Sequence, residues 1–97
     1  MKLRYKFALQ KVGNGIVAVA IEEDALEYSE ILRMNSTGGY ILEQLQNDIS
    51  YDELIERMLQ KYDADKATIE IVLANFLGML LAKKILVNDK GDLIKTI

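Results

Sequence analysis

Met34-Asn35-Ser36-Thr37-Gly38-Gly39 is the stretch that most restricts how this chain can fold. Upstream, Glu27–Met34 reads as a short strand, with Leu32 and Met34 on one face and Ile31 and Arg33 on the other. Downstream, a helix is expected from Ser36 to Gln46 with Ile41, Leu42 and Leu45 turned inward. Asn35 stands at the junction, where its side-chain oxygen can accept an orphan N–H of the first helical turn. Gly38 and Gly39 each weaken the helix by about 1 kcal/mol relative to alanine, so tertiary contact must hold it. A strand running directly into a capped helix makes a rigid corner, and the remaining segments must pack around it.

The chain has 97 residues, enough for one domain with one core and no metal or disulfide staple. The expected organisation is therefore a single unit over residues 1–97, with a sheet over about 2–34, helices over about 36–84 and a C-terminal strand or tail over 85–97. Residues 2–12 alternate: Leu3, Tyr5, Phe7 and Leu9 share one side while Lys2, Arg4, Lys6, Ala8 and Gln10 take the other. That is the period of a half-buried strand. Gly13-Asn14-Gly15 then supplies a tight hairpin turn, and Ile16–Ile21 a β-branched second strand. Because a strand and not a helix follows the glycines, the Gly-x-Gly pattern is a turn and not a phosphate loop. Glu22–Leu26 forms an acidic connection with room for one helical turn.

Beyond the corner, Ser50-Tyr51-Asp52-Glu53 has the capping-box pattern, Ser50 capping the Glu53 N–H and Glu53 reaching back to Ser50, with Ile49 and Leu54 placed as a hydrophobic staple. The helix it starts carries Leu54, Ile55, Met58, Leu59 and Tyr62 in one apolar stripe. Asp65 is the expected cap of a third helix over Thr68–Lys84. This helix is apolar around most of its circumference. Ile69, Leu73, Phe76, Leu77 and Leu80 make the core stripe, whereas Ile71, Asn75, Met79 and Ala82 fall on a second side. A helix apolar on two sides in so small a domain has a surface left for a partner. Ile85–Val87 and Leu93–Ile97, separated by Asn88-Asp89-Lys90-Gly91-Asp92, read as a second small hairpin or a strand with a tail. The fold class is thus α+β: a three-stranded antiparallel sheet followed by three helices, a small winged-helix-like arrangement.

What is missing narrows the chemistry. The chain has no His, Cys or Trp, which removes imidazole proton transfer, thiol nucleophiles and the usual zinc and haem ligands. No catalytic residue, metal ligand or cofactor is expected. Ser29, Ser36 and Ser50 have no His to activate them, and two of them sit at helix starts. The net charge of −3 argues against a nucleic-acid surface. A winged-helix regulator would also need basic or amide side chains along its third helix, yet none of the residues between Lys66 and Lys83 is basic. Charge is segregated: Lys2, Arg4, Lys6 and Lys11 precede Glu22, Glu23, Asp24, Glu27 and Glu30. No apolar run approaches the roughly 20 residues of a membrane span, and nothing after Met1 has the form of a targeting segment, so the expected location is the cytoplasm.

The corner Leu32-Arg33-Met34-Asn35-Ser36-Thr37-Gly38-Gly39-Tyr40-Ile41 resembles that of the PqqD-like family, the D proteins of pyrroloquinoline quinone (PQQ) biosynthesis and their relatives, whose hydrophobic-Asn-x-Thr-Gly pattern Met34–Gly38 matches. The resemblance continues through Ile49–Ile55, Tyr62-Asp63 and Val72–Leu80, covering roughly residues 5–87. Met34 stands where Leu is more usual, and the Val87–Ile97 tail has no counterpart. The resemblance implies a recognition element for ribosomally made, post-translationally modified peptides (RiPPs). Such an element is a chaperone that binds the precursor's leader peptide as an added strand and presents it to a modifying enzyme, often a radical SAM enzyme. On this chain the implied peptide site combines Tyr28, Ser29, Glu30, Ile31, Leu32 and Arg33 of the third strand with Ile71, Val72, Asn75, Phe76, Met79 and Lys83 of the third helix. Arg33 and Lys83 would favour an acidic leader. Neither nucleic acid nor membrane is an expected partner; the protein is expected as a monomer or homodimer. A DNA-binding regulator and a dimeric structural subunit are the alternative readings.

Overall fold

A computed structural model describes residues 1–96. The elements run β1 (Lys2–Leu3), β2 (Phe7–Val12), β3 (Gly15–Ala20), a 3-10 turn (Glu22–Leu26), β4 (Leu32–Asn35), α1 (Ser36–Gln44), α2 (Tyr51–Lys61), α3 (Lys66–Ala82) and β5 (Leu86–Val87). β2, β3 and β4 form an antiparallel sheet in that order, and the three helices follow it. This is the small α+β architecture expected. No described helix is long and apolar enough to cross a membrane.

The β2–β3 hairpin closes through Gly13 and Asn14, with Val12 opposite Gly15. Gly13 takes a φ of +60°, the left-handed first position that a type II′ hairpin turn reserves for glycine. On the other side of β3, Ala18 pairs with Leu32 and Gly15 with Asn35. Ala18 and Leu32 are buried and face the helices. The core beneath is built from Ile41, Leu42 and Leu45 of α1 and its C-terminal end, Leu54, Ile55 and Met58 of α2, and Ile69, Leu73, Leu77 and Leu80 of α3. Each of these large side chains contributes about 1.5–3 kcal/mol through removal from water.

All three expected helix caps form. The Asn35 Oδ1 accepts from the Gly38 N–H at 2.8 Å, the Ser50 hydroxyl oxygen from the Glu53 N–H at 3.1 Å, and the Asp65 Oδ1 from the Thr68 N–H at 2.9 Å. Glu53 reaches back to Ser50 as expected, its carboxylate accepting from the Ser50 hydroxyl at 3.2 Å. Ile49 and Leu54, the expected staple, are both buried. α1 ends at Gln44 and not Gln46, and α3 spans Lys66–Ala82 and not Thr68–Lys84.

Two strand boundaries differ from the sequence reading for physical reasons. The alternating stretch 2–12 is two strands. The Leu3 N–H donates to Leu45 O at 2.9 Å and the Arg4 N–H to Ile85 O at 2.7 Å, which commits β1 to the helical end of the molecule and to β5. The strand expected over Glu27–Met34 is only Leu32–Asn35. Asp24 O accepts the N–H groups of both Glu27 and Tyr28, at 3.1 and 3.0 Å, so the backbone there closes the 3-10 turn and has no ladder to join.

At the C-terminal end, Val87 bridges to Leu93 and the Ile94 N–H donates to Leu86 O at 3.0 Å, giving the small second hairpin. Asn88 Oδ1 organises its turn, accepting from the N–H groups of Lys90 and Asp92 at 2.9 and 3.0 Å. Of the tail expected over 85–97, Ile97 lies outside the described residues.

Candidate functional site

β4 is paired on one side only. β3 occupies one edge, and among the described residues no strand pairs with the other. A free edge is a row of unpaired backbone donors and acceptors, which a further strand can satisfy. α3 approaches this region at two points: Phe76 lines a cleft with Asn35, and Lys83 donates to Glu30 just before the strand.

The Asn35 cap and the Gly38-Gly39 pair explain how the strand and helix come together. A Cβ at Gly38 would stand 2.8 Å from Phe76 Cε1 and 3.1 Å from Met34 Cβ, and one at Gly39 would stand 2.7 Å from Ile16 Cγ1. The two glycines therefore let α1 lie against β3 and β4 on one side and against α3 on the other. The result is a cleft of about 310 Å³ lined by Asn35, Thr37, Gly38, Ile41, Val72, Asn75 and Phe76.

The structure separates the residues expected at the site. Val72, Asn75 and Phe76 meet at the cleft; Val72 and Phe76 are half-buried, and Asn75 is exposed. Phe76, expected in the core stripe, thus lies at its margin, half-buried and packed against the core. Met79 is half-buried one turn further along, and Ile71 is exposed outside the cleft lining. Leu32 and Arg33 are in β4, where Arg33 is exposed but the Leu32 side chain is buried, leaving only its backbone for a ligand. Tyr28, Ser29, Glu30 and Ile31 precede the strand. Sequence reading missed Asn35, Thr37 and Gly38 as lining residues. The signal was present in the paired glycines, which mark a close approach as well as a corner.

The segment before β4 is fixed by side chains. The Tyr28 ring stacks on Tyr5, with centroids 5.3 Å apart, and meets Phe7 edge-on at 5.8 Å. Its hydroxyl donates to Glu30 Oε2 at 3.0 Å. Burial first, then the bond to the Glu30 carboxylate, push the Tyr28 hydroxyl up to about 12. The other Glu30 oxygen accepts from Lys83 Nζ at the C-terminal end of α3. Hydrogen bonds from Lys83 and then Tyr28 hold the Glu30 carboxyl below its ordinary value. Lys83 is thus already paired within the chain.

The family model for coenzyme PQQ synthesis protein D (PqqD) matches residues 15–86, from the first residue of β3 to the first of β5. The chain belongs to the PqqD family. The match takes in the whole cleft and leaves β1, β2 and the C-terminal turn outside it. No curated protein sequence matches the chain. Among solved structures the chain is similar to TbiB1 in complex with the TbiA(beta) leader peptide, with a TM-score of 0.67 and 21% identity. The likeness covers 89% of this chain and 94% of that one, and it shows a shared fold.

Proposed function

We propose that residues 1–97 form one RiPP recognition element, a peptide chaperone that binds the leader of a ribosomally made precursor and presents it to a modifying enzyme. The leader adds as a strand to the free edge of β4 and lies in the groove beside α3. The observation that carries this reading is the unpaired β4 edge running beside an apolar helix face. Each half of that arrangement would be a liability in isolation, and an added strand satisfies both at once. Membership of the PqqD family supports the reading, as does the fold shared with a protein that holds a leader peptide.

In this mechanism main-chain hydrogen bonds to Leu32–Asn35 set the register, each contributing about 0.5–1.5 kcal/mol. Val72, Phe76 and Met79 supply apolar contact, Asn75 a hydrogen-bonding group, and Arg33 a cation on the exposed side of the strand. Ile31 and Ile71 extend the apolar surface at its margins, and Tyr28, Ser29 and Glu30 border its far end. The protein contributes binding and presentation; the chemistry belongs to the modifying enzyme, of the radical SAM class where the pathway is that of PQQ. The setting is the cytoplasm.

The test is an NMR titration with the precursor peptide encoded beside this protein's gene. Shifts concentrated on Tyr28–Asn35 and Ile71–Lys83 are expected, and Met79→Asp abolishes binding while preserving the amide spectrum of the core. Shifts confined to Lys2–Leu9 or to the turn after Val87 would overturn the reading.

A further inference from the structure

The groove between β4 and α3 is bounded at both ends. At one end Met34 and Phe76 both abut Gly38. At the other, Lys83 Nζ donates to Glu30 Oε1. Between Phe76 and Lys83 the helix advances roughly 10 Å, at about 1.5 Å per residue, and between Glu30 and Met34 an extended chain advances roughly 13 Å, at about 3.3 Å per residue. The two walls are thus of comparable length, tied at one end through Phe76 and Met34 at Gly38 and at the other by the Glu30–Lys83 pair.

We infer that Glu30 and Lys83 form a clasp across the open end of this groove, that an incoming peptide strand opens it, and that Lys83 then selects a carboxylate side chain on that peptide. The inference rests on the peptide-binding reading above and adds to it the chemistry of one peptide position. A strand added to β4 lies about 4.8 Å from it, and Glu30, two residues before β4, reaches across to Lys83 on the helix wall. Glu30 accordingly occupies the place of a ligand group: both of its oxygens are satisfied, one by Lys83 and one by the Tyr28 hydroxyl. Once it swings out, these two donors are left facing the groove without an acceptor. Lys83 caps the C-terminal end of α3, where the helix dipole favours a cation, and Lys84 follows it in the chain. An Asp or Glu on the peptide restores what Glu30 gave up. A neutral side chain leaves the ammonium unpaired, and a basic one is repelled. Clasp and selectivity are then one device, in which the chain's own carboxylate competes with that of the ligand.

The experiment uses the full chain and a displayed library of random 12-residue peptides. Selection is carried out against the natural protein and against the Lys83→Glu variant, and the enriched peptides are located on the protein by NMR. The natural protein should enrich an acidic residue at one fixed position in peptides that map to β4, and Lys83→Glu should enrich a basic residue at that position. Glu30→Gln should bind the acidic peptides about two- to fivefold more tightly, since an exposed competing pair is lost. Should Lys83→Glu fail to fold, Lys83→Gln carries the test, with the acidic preference expected to vanish. Peptides that still map to β4 but show an unchanged acidic preference in the Lys83 variant, or equal or weaker binding to Glu30→Gln, would overturn the clasp and leave the peptide-binding reading standing. A library that yields no peptide at the β4 edge would overturn both.

Discussion

α2 and α3 pack against each other around one core, but they present different surfaces to solvent. α2 buries Leu54, Ile55 and Met58 and turns Asp52, Glu53, Glu56, Arg57 and Gln60 outward. α3 buries Ile69, Leu73, Leu77 and Leu80, and the positions left exposed between them include Ile71, Ala74, Asn75, Gly78 and Ala82. A helix with a charged outer face is complete within the monomer. α3 has two further sides to cover. One borders an open pocket of about 440 Å³ that Lys95 and Thr96 line together with Tyr51, Ala74, Leu77, Gly78 and Leu81. The other faces the free edge of β4. The contrast separates the part of α3 that holds the fold from the part that, on the proposed reading, meets the leader peptide.

The largest effects should fall where the two helices are alike. Leu54 on α2 and Leu73 on α3 are both fully buried, so Leu54→Ala and Leu73→Ala should each lose about 2–5 kcal/mol in a denaturant melt. A loss below about 1 kcal/mol at Leu73 would mean that the α3 stripe is not core and would break the comparison. Next comes the contact that sets α3 beside β4. Gly38→Ala forces Phe76 and Met34 apart and should cost about 1–3 kcal/mol, with weaker peptide binding besides. No α2 residue should produce that double loss.

The features legible in the sequence are those whose partners lie within a few residues. Asn35, Ser50 and Asp65 each accept from the N–H three positions on, so three helix starts could be read directly. The core stripe of α3 followed from its spacing, apart from Phe76, because periodicity gives the side of a helix but not where its core ends. The strand before the corner was read too long. Glu27–Ile31 has an acceptable strand pattern, but Asp24 O takes two of its backbone donors and the Tyr28 ring is drawn onto Tyr5 and Phe7. Both are tertiary facts. The Glu30–Lys83 pair joins residues 53 apart and left no local trace; sequence reading placed Lys83, with Arg33, at the flank of the groove. Of the cleft, the α3 side was found from unassigned apolar positions, while Asn35, Thr37 and Gly38 were assigned to the corner alone.

A smaller effect distinguishes the two helices by the chemistry of their caps. The cap of α2 is a hydroxyl and that of α3 a carboxylate. Hydrogen bonds from Thr68, its side chain first and its backbone N–H second, hold the Asp65 carboxyl below its ordinary 3.8. A carboxyl lowered in the folded state contributes stability that is complete above the unfolded value and lost as the pH falls through the folded one. Acidification from about pH 5 should therefore release the first turn of α3. It should be seen as falling amide-exchange protection at Thr68 while the Glu53 amide, held by Ser50, keeps its own. Asp65→Ser should remove the pH dependence at Thr68. Equal loss at both amides would point to general acid unfolding.

The smallest change in stability should be the most informative about function. Ile71 on α3 is 64% exposed, and Glu56 on α2 is exposed as well, so neither is held by the core. Ile71→Ser and Glu56→Ala should both leave the unfolding free energy within about 0.5 kcal/mol of the natural protein. Binding should separate them. Ile71 stands on the side of α3 that carries Asn75, at the margin of the groove, so its truncation should weaken a bound leader severalfold. Glu56 lies on the outer face of α2, remote from β4, and should change nothing. Isothermal titration of both variants with the same precursor peptide makes the comparison. If Ile71→Ser binds as well as Glu56→Ala, the apolar margin of α3 is not part of the peptide site, and the groove ends at Val72, Asn75 and Phe76. If Ile71→Ser instead destabilises the fold by more than about 1 kcal/mol, its side chain packs in the folded protein, and the division of α3 into a structural stripe and a reserved face does not hold.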